Sequence, residues 1–193
     1  MKVKQVEDYA INEFKKKDMI WFIDLHLKPM KEIAFELAEK LDADKTVIEL
    51  AVWLHDITHV IGIKKIPHDH PKVNSDFAEK FLKENGFDEN TIKNVCHCIL
   101  NHGCQDGRIP KTLEGKIIAS ADAMAHIKNF EMLLFAGFYL NKYDNKEVYN
   151  WLKAKISRDW KQKIMLPEAK EMIKERYHEI EILLENMEKH MGP

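Results

Sequence analysis

One segment limits the fold more than any other, the run TVIELAVWLHDITHVIG over residues 46–62. On a helix, Val47, Ile48, Leu50, Ala51, Val52, Trp53, Leu54, Ile57, Val60 and Ile61 cover nearly the whole circumference. A helix that is apolar on every side has no face for water, so other elements must surround it. Those elements read as helices too: apolar residues recur at four-residue spacing, as at Ile33, Leu37 and Leu41, and strict alternation persists nowhere. The pattern predicts helices at Lys2–Lys17, Ile20–Leu41, Thr46–Ile61, Val73–Glu84, Asp88–Asn101, Thr112–Leu140, Lys146–Lys163 and Pro167–Lys189. Pro29 should bend the second of these, since its ring removes an N–H and crowds the previous turn. Asp42 or Asp44 can cap the third and Gly62 can stop it. Lys64–Pro71, with its prolines and histidines, reads as a loop, and Pro167 suits a first helical turn.

At 193 residues with 45% apolar and 32% charged side chains, and with no repeat or linker, the expectation is one all-α helical bundle spanning residues 1–193. Lys and Arg number 30 against 32 Asp and Glu, which argues against an extended nucleic-acid surface and leaves room for a local basic pocket. Cys96, Cys98 and Cys104 are an odd, clustered set, a poor disulfide framework, and point to a reducing cytoplasm. The N-terminus does not read as a signal peptide, and no run reaches the ~20 apolar residues of a membrane helix. Apolar faces on the later helices would serve either a homodimer or the core.

Into the apolar rod at 46–62 the sequence sets His55 and Asp56 side by side, then His59. The same conflict recurs at Asp122 in KIIASADAMAHI and, less sharply, at His26 in IWFIDLHLKPM. A buried carboxylate costs several kcal/mol unless a cation or strong donors compensate it. Any one of these residues alone is accounted for by a hydrogen-bonded core pair or a local cap. Taken together, two imidazoles and two carboxylates are what a divalent cation satisfies at once.

The order His26, then the doublet His55-Asp56 closing an apolar helix, then Asp122 in an Ala-Asp-Ala helix, resembles the HD superfamily of metal-dependent phosphohydrolases. The resemblance runs over about residues 18–128, and the helices at about 146–190, with WLKAKI and KEMIKERYHEI, are similar in texture to bacterial HD nucleotide pyrophosphohydrolases. It implies an all-helical HD-type domain in which His26, His55, Asp56 and Asp122 ligate a divalent ion, Mn, Fe, Co, Ni or Zn. Many relatives carry another Asp shortly after the downstream aspartate; here the stretch is ADAMAH, which departs from that pattern. His59 falls where deoxynucleotide triphosphohydrolases have a His and suits general acid–base work; equally, it would offer charge near the C-terminus of its own helix. His70 and His102 lie in segments similar to those that bring two histidines to a second metal in binuclear HD enzymes, while their own surroundings read as surface or anion-contacting.

The implied activity is hydrolysis of a phosphate ester or anhydride in a small phosphorylated substrate, a nucleotide above all. The metal activates water, Asp56 orients it, and His59 or His70 relays a proton. Two other readings stand beside it. One is a metal- or nucleotide-binding domain without turnover. The other takes HDITH as a shifted HExxH zinc peptidase helix with His55 and His59 on one face, which leaves His26 and Asp122 unexplained. His68, His97, His126, His178 and His190 read as solvated. Cys96 and Cys98 project about 200° apart on a helix; Cys98, His102 and Cys104 would make a zinc clip or, more simply, small hydrophobic side chains. Lys15–Lys17 and Lys64-Lys65 read as solvated runs, the second close enough to the proposed site to meet phosphate.

Overall fold

The computed structural model of the chain describes residues 2–61 and 70–190. Gly62, the Lys64-Lys65 run and His68 lie outside the described residues, as does the side chain of His190. The helices are α1 (Lys2–Lys16), α2 (Ile20–Phe22), α3 (Lys28–Leu41), α4 (Lys45–Leu54), α5 (His70–Glu84), α6 (Glu89–Asn101), α7 (Leu113–Lys128), α8 (Phe130–Phe135), α9 (Asn145–Arg158) and α10 (Pro167–His190). No strand occurs among the described residues, so the all-α expectation holds.

Two helices form the middle. In α4 every residue from Leu50 to Leu54 is buried, as the all-round apolar pattern demands. Burying each large apolar side chain there contributes about 1.5–3 kcal/mol. α7 is buried from Ile117 to Ile127, and its Ala119, Ser120, Ala121, Ala123 and Ala125 are small enough for α3, α4, α6 and α10 to pack against it. An aspartate so deep in an apolar helix is costly unless partnered, which is why Asp122 matters.

Several boundaries differ from expectation, each for a local reason. Asp44, not Asp42, caps α4, accepting from the N–H groups of Thr46 (2.8 Å) and Val47 (3.2 Å). Asp42 instead ends α3 in the left-handed region at φ 55°. α4 stops at Leu54 and not at Ile61: Asp56 leaves helical geometry at φ −124°, ψ 18°, and a short 3-10 turn, Ile57–His59, follows. The N–H of Thr58, which would have bonded Leu54 in a continued helix, donates to Asn74 Oδ1 at 2.9 Å. α5 starts at His70, earlier than the expected Val73, with Pro71 in its first turn. The expected helix from Thr112 to Leu140 breaks at Asn129, where φ is −112° and ψ 56°.

Three segments are π-helical, Ile23–Leu27, Ala136–Leu140 and Asp159–Lys163. The first replaces the expected bend near Pro29. Pro29 has no N–H for the Leu25 carbonyl, and the Asn129 side-chain amide donates to it at 2.6 Å. The interruption of α7–α8 thus serves the interruption between α2 and α3. Around α8, Ile20, Phe135, Phe138, Tyr139 and Leu140 remain exposed. Among the described residues no helix is long and apolar enough to cross a membrane.

Candidate metal centre

His26 comes from the π-helical turn, the His55-Asp56 doublet from the end of α4, and Asp122 from the middle of α7. They meet. His26 Nε2 lies 3.3 Å from His55 Nε2 and 3.2 Å from Asp122 Oδ1, and His55 Nε2 lies 3.9 Å from that oxygen and 3.5 Å from Asp56 Oδ2. The ligand atoms of His26, His55 and Asp122 fall within 4.8 Å of one another, and so do those of His55, Asp56 and His102. The two groups share His55.

Protonation follows from the outer partners. His55 Nδ1 lies 2.9 Å from the Val52 carbonyl and His102 Nδ1 lies 2.6 Å from the Ile99 carbonyl. A carbonyl has no proton to give, so each Nδ1–H is the donor and each Nε2 presents a bare lone pair. Burial pushes the imidazoles of His26 and His102 down, His102 to about 3, which keeps them in the neutral form a metal requires. Burial alone would raise Asp56 and Asp122. The histidines around Asp56, and Lys163 with His126 beside Asp122, outweigh it and hold both carboxyls ionised. Asp56 Oδ1 and His26 Nδ1 are buried with no hydrogen-bond partner among the described residues. Bare nitrogens and carboxylate oxygens facing one another at these distances fit a divalent cation better than they fit each other.

Around this set the remaining histidines sort differently from expectation. His126, expected to be solvated, is buried. Its Nδ1–H donates to Asp159 Oδ2 at 3.0 Å, its Nε2 lies 3.6 Å from Asp122 Oδ1, and its ring stacks on His26 at 5.0 Å. Burial, helped by Lys155, pushes it to about 4. It closes ADAMAH, the stretch that departs from the further Asp many relatives carry. His102 is buried rather than on the surface. His59 Nε2 and His70 Nε2 flank Asp56, each at 3.7 Å from one of its oxygens. Because α4 ends before His59, that residue completes no α-helical face with His55 and instead closes the short 3-10 turn Ile57–His59. His97 is half-buried and accepts the Lys111 N–H at 2.9 Å, whereas His178 is exposed as expected. The zinc clip does not assemble: none of the cysteines joins a metal-type cluster among the described residues, and burial pushes the Cys96 thiol up to about 11 and raises Cys98 further.

The sequence also gave no hint of the cations on α9 and the π-helical turn after it. Lys163 hydrogen-bonds Asp122. Its own carbonyl accepts from Ser120 Oγ (3.2 Å), tying the turn to α7. Arg158 and Lys155 approach the fully buried Asp159 at 3.2 and 3.6 Å. These cations share a cleft of about 120 Å³ with Asp56, His70, His102, Asp122 and His126. At ~30 Å³ per water, that space has room for a phosphoryl group. The only positional signal was Lys155, Asp159 and Lys163 at intervals of four, a pattern common on solvated helix faces.

Comparison with known proteins places this arrangement. YpgQ of Bacillus subtilis has a similar fold, at a TM-score of 0.70 and 20% identity over 99% of this chain and 96% of that one. A structure of YpgQ in complex with ADP matches equally, at 0.70 and 20%, over 97% and 94%. A predicted HD superfamily hydrolase from an uncultured Thermotogales bacterium aligns at 0.63 and 20%, over 98% and 92%. No curated protein matches the chain. The family model for the HD domain covers residues 23–127, more than half of the sequence. That span begins at the π-helical turn bearing His26 and closes just past Asp122 on α7, and the chain belongs to the HD-domain family.

Proposed function

We propose that this protein is a metal-dependent phosphohydrolase that cleaves a phosphate ester or anhydride of a small substrate, with a nucleotide as the best-supported class. The observation that carries the reading is the convergence of His26, His55, Asp56 and Asp122 from three separate segments, with imidazole nitrogens turned towards carboxylates. In this reading those residues hold a divalent ion, Mn, Fe, Co, Ni or Zn, and His70 with His102 adds ligands for a second. When bound, such an ion lowers the pKa of water and polarises a phosphoryl oxygen.

The chain's own groups do the rest. Asp56 orients the attacking water through the oxygen not engaged as a ligand. His59 or His70, both beside Asp56, takes and returns the proton, His70 only where it holds no second ion. The likeness in fold to YpgQ, which has been seen with ADP, supports a nucleotide as substrate. The test is elemental analysis of the purified protein, followed by a panel of nucleotides and simple phosphoesters with each metal. His55→Ala and Asp122→Ala should lose bound metal and turnover together. Full turnover in chelator-treated protein overturns the reading, and nucleotide binding without product in any metal points to a silent binding domain.

A further inference from the structure

Lys155, Arg158 and Lys163 take no part in that reading, yet they are placed with care. Asp159 is fully buried, and from its position in the π-helical turn it gathers the imidazole of His126, the guanidinium of Arg158 and the ammonium of Lys155. Lys163, 3% exposed, reaches past it to Asp122. Burying charge is costly and needs compensation. Here the compensation is incomplete. Lys155 has its carboxylate only at 3.6 Å, and burial lowers its pKa. Arg158 Nε is buried with no hydrogen-bond partner among the described residues. Once Asp56 and Asp122 hold a divalent ion, that ion and three side-chain cations face three carboxylates, an excess of two positive charges in the cleft. A phosphate dianion supplies the missing charge, and the cleft has the volume for it.

We infer that Lys155, Arg158 and Lys163, clustered by the buried carboxylate of Asp159, form an anion subsite for phosphoryl oxygens beside the metal centre, with Asp159 as its positioning residue. The excess of charge rests on the metal-dependent reading above; the cluster itself does not. Arg158 offers planar donors matched to phosphate oxygens. Lys163, a member of the subsite, hydrogen-bonds the proposed metal ligand Asp122, so an anion held here lies next to the centre where the phosphoryl group would be attacked.

The test uses inorganic phosphate as the probe, titrated by calorimetry into the full chain in Mn²⁺-loaded and chelator-treated forms, with metal content measured alongside. Arg158→Gln should weaken phosphate binding at least tenfold with metal content unchanged, and Arg158→Lys should recover part of the loss. Asp159→Asn should weaken it similarly; if that variant does not fold, by circular dichroism, the Arg158 pair decides alone. Phosphate binding that is absent from the wild type in both forms, or equal in wild type and Arg158→Gln, overturns the inference. A chain that takes up no metal yet loses phosphate binding in Arg158→Gln overturns the proposed function and leaves the subsite standing.

Discussion

The ammonium of Lys163 hydrogen-bonds the carboxylate of Asp122 at the floor of the cleft, and neither side chain is more than 4% exposed. Breaking a buried ion pair from one side strands a charge, at about 3–5 kcal/mol. Asp122→Asn should therefore destabilise the chelator-treated protein by about that much, while the double variant Asp122→Asn with Lys163→Met recovers most of the loss. Urea unfolding of the four members of the cycle measures the coupling. Additive costs would mean that the pair does not act as a unit.

His59 lies beyond the end of α4 and approaches Asp56, not His55. In His59→Ala the metal content should stay at the wild-type level while kcat falls by about 10²–10⁴-fold, the usual contribution of a positioned acid or base. Loss of metal in this variant would instead make His59 a ligand, as the peptidase reading of HDITH requires.

Acid should destabilise the metal-free protein through its buried imidazoles. His126 and His102 are held at about 4 and about 3 in the folded chain, below the ordinary 6.5. A depressed imidazole favours folding in its neutral form. Its contribution is complete above pH ~6.5 and is lost as pH falls towards the folded value, at about 1.4 kcal/mol per pH unit for each group. Urea midpoints of chelator-treated protein should be flat from pH 8 to 7 and decline steadily from 6.5 to 4. A flat profile down to pH 4 would contradict the burial of these rings.

The Asn129 amide serves the carbonyl that Pro29 leaves unpaired, and the turn it steadies carries His26. Asn129→Ala should cost about 1 kcal/mol in stability, the worth of one hydrogen bond. Metal affinity should fall about 10–100-fold, as when an outer support of a ligand is removed. Unchanged metal binding in a calorimetric titration would show that the turn keeps its shape unaided.

The sequence exposed the parts of this site that conflict with their surroundings. His55, Asp56 and Asp122 stand out because burial in apolar helices makes polar groups expensive, and His26 followed by the same logic. His126 lies in the same apolar helix, yet at a distance of four from Asp122 it read as a solvated neighbour; its burial depends on Asp159, 33 residues away, which no local pattern reveals. Asp159 and Lys163 escaped for the same reason: on a helix rich in Lys and Arg, charged residues at intervals of four look like a wet face. The helices were legible from their spacing. Their interruptions at Asp56, at Asn129 and at the turns Ile23–Leu27 and Asp159–Lys163 were not, because each is accompanied by a long-range hydrogen bond, such as that from the Thr58 N–H to Asn74.

A π-helical turn contains one residue more than the α-helical turn it replaces, so it is an insertion absorbed without disturbing the helix on either side. Two such turns, Ile23–Leu27 and Asp159–Lys163, hold His26, Asp159 and Lys163. Removing a single residue from Ile23–Leu27 would let α2 and α3 close up, and the side chain that lost its place would be His26; Asp159–Lys163 instead ends α9 and runs into the irregular Ile164–Leu166, so a deletion there would move Lys163 from Asp122. Chain length at Ile23–Leu27 is therefore a dial for chemistry that leaves the helices on either side in place.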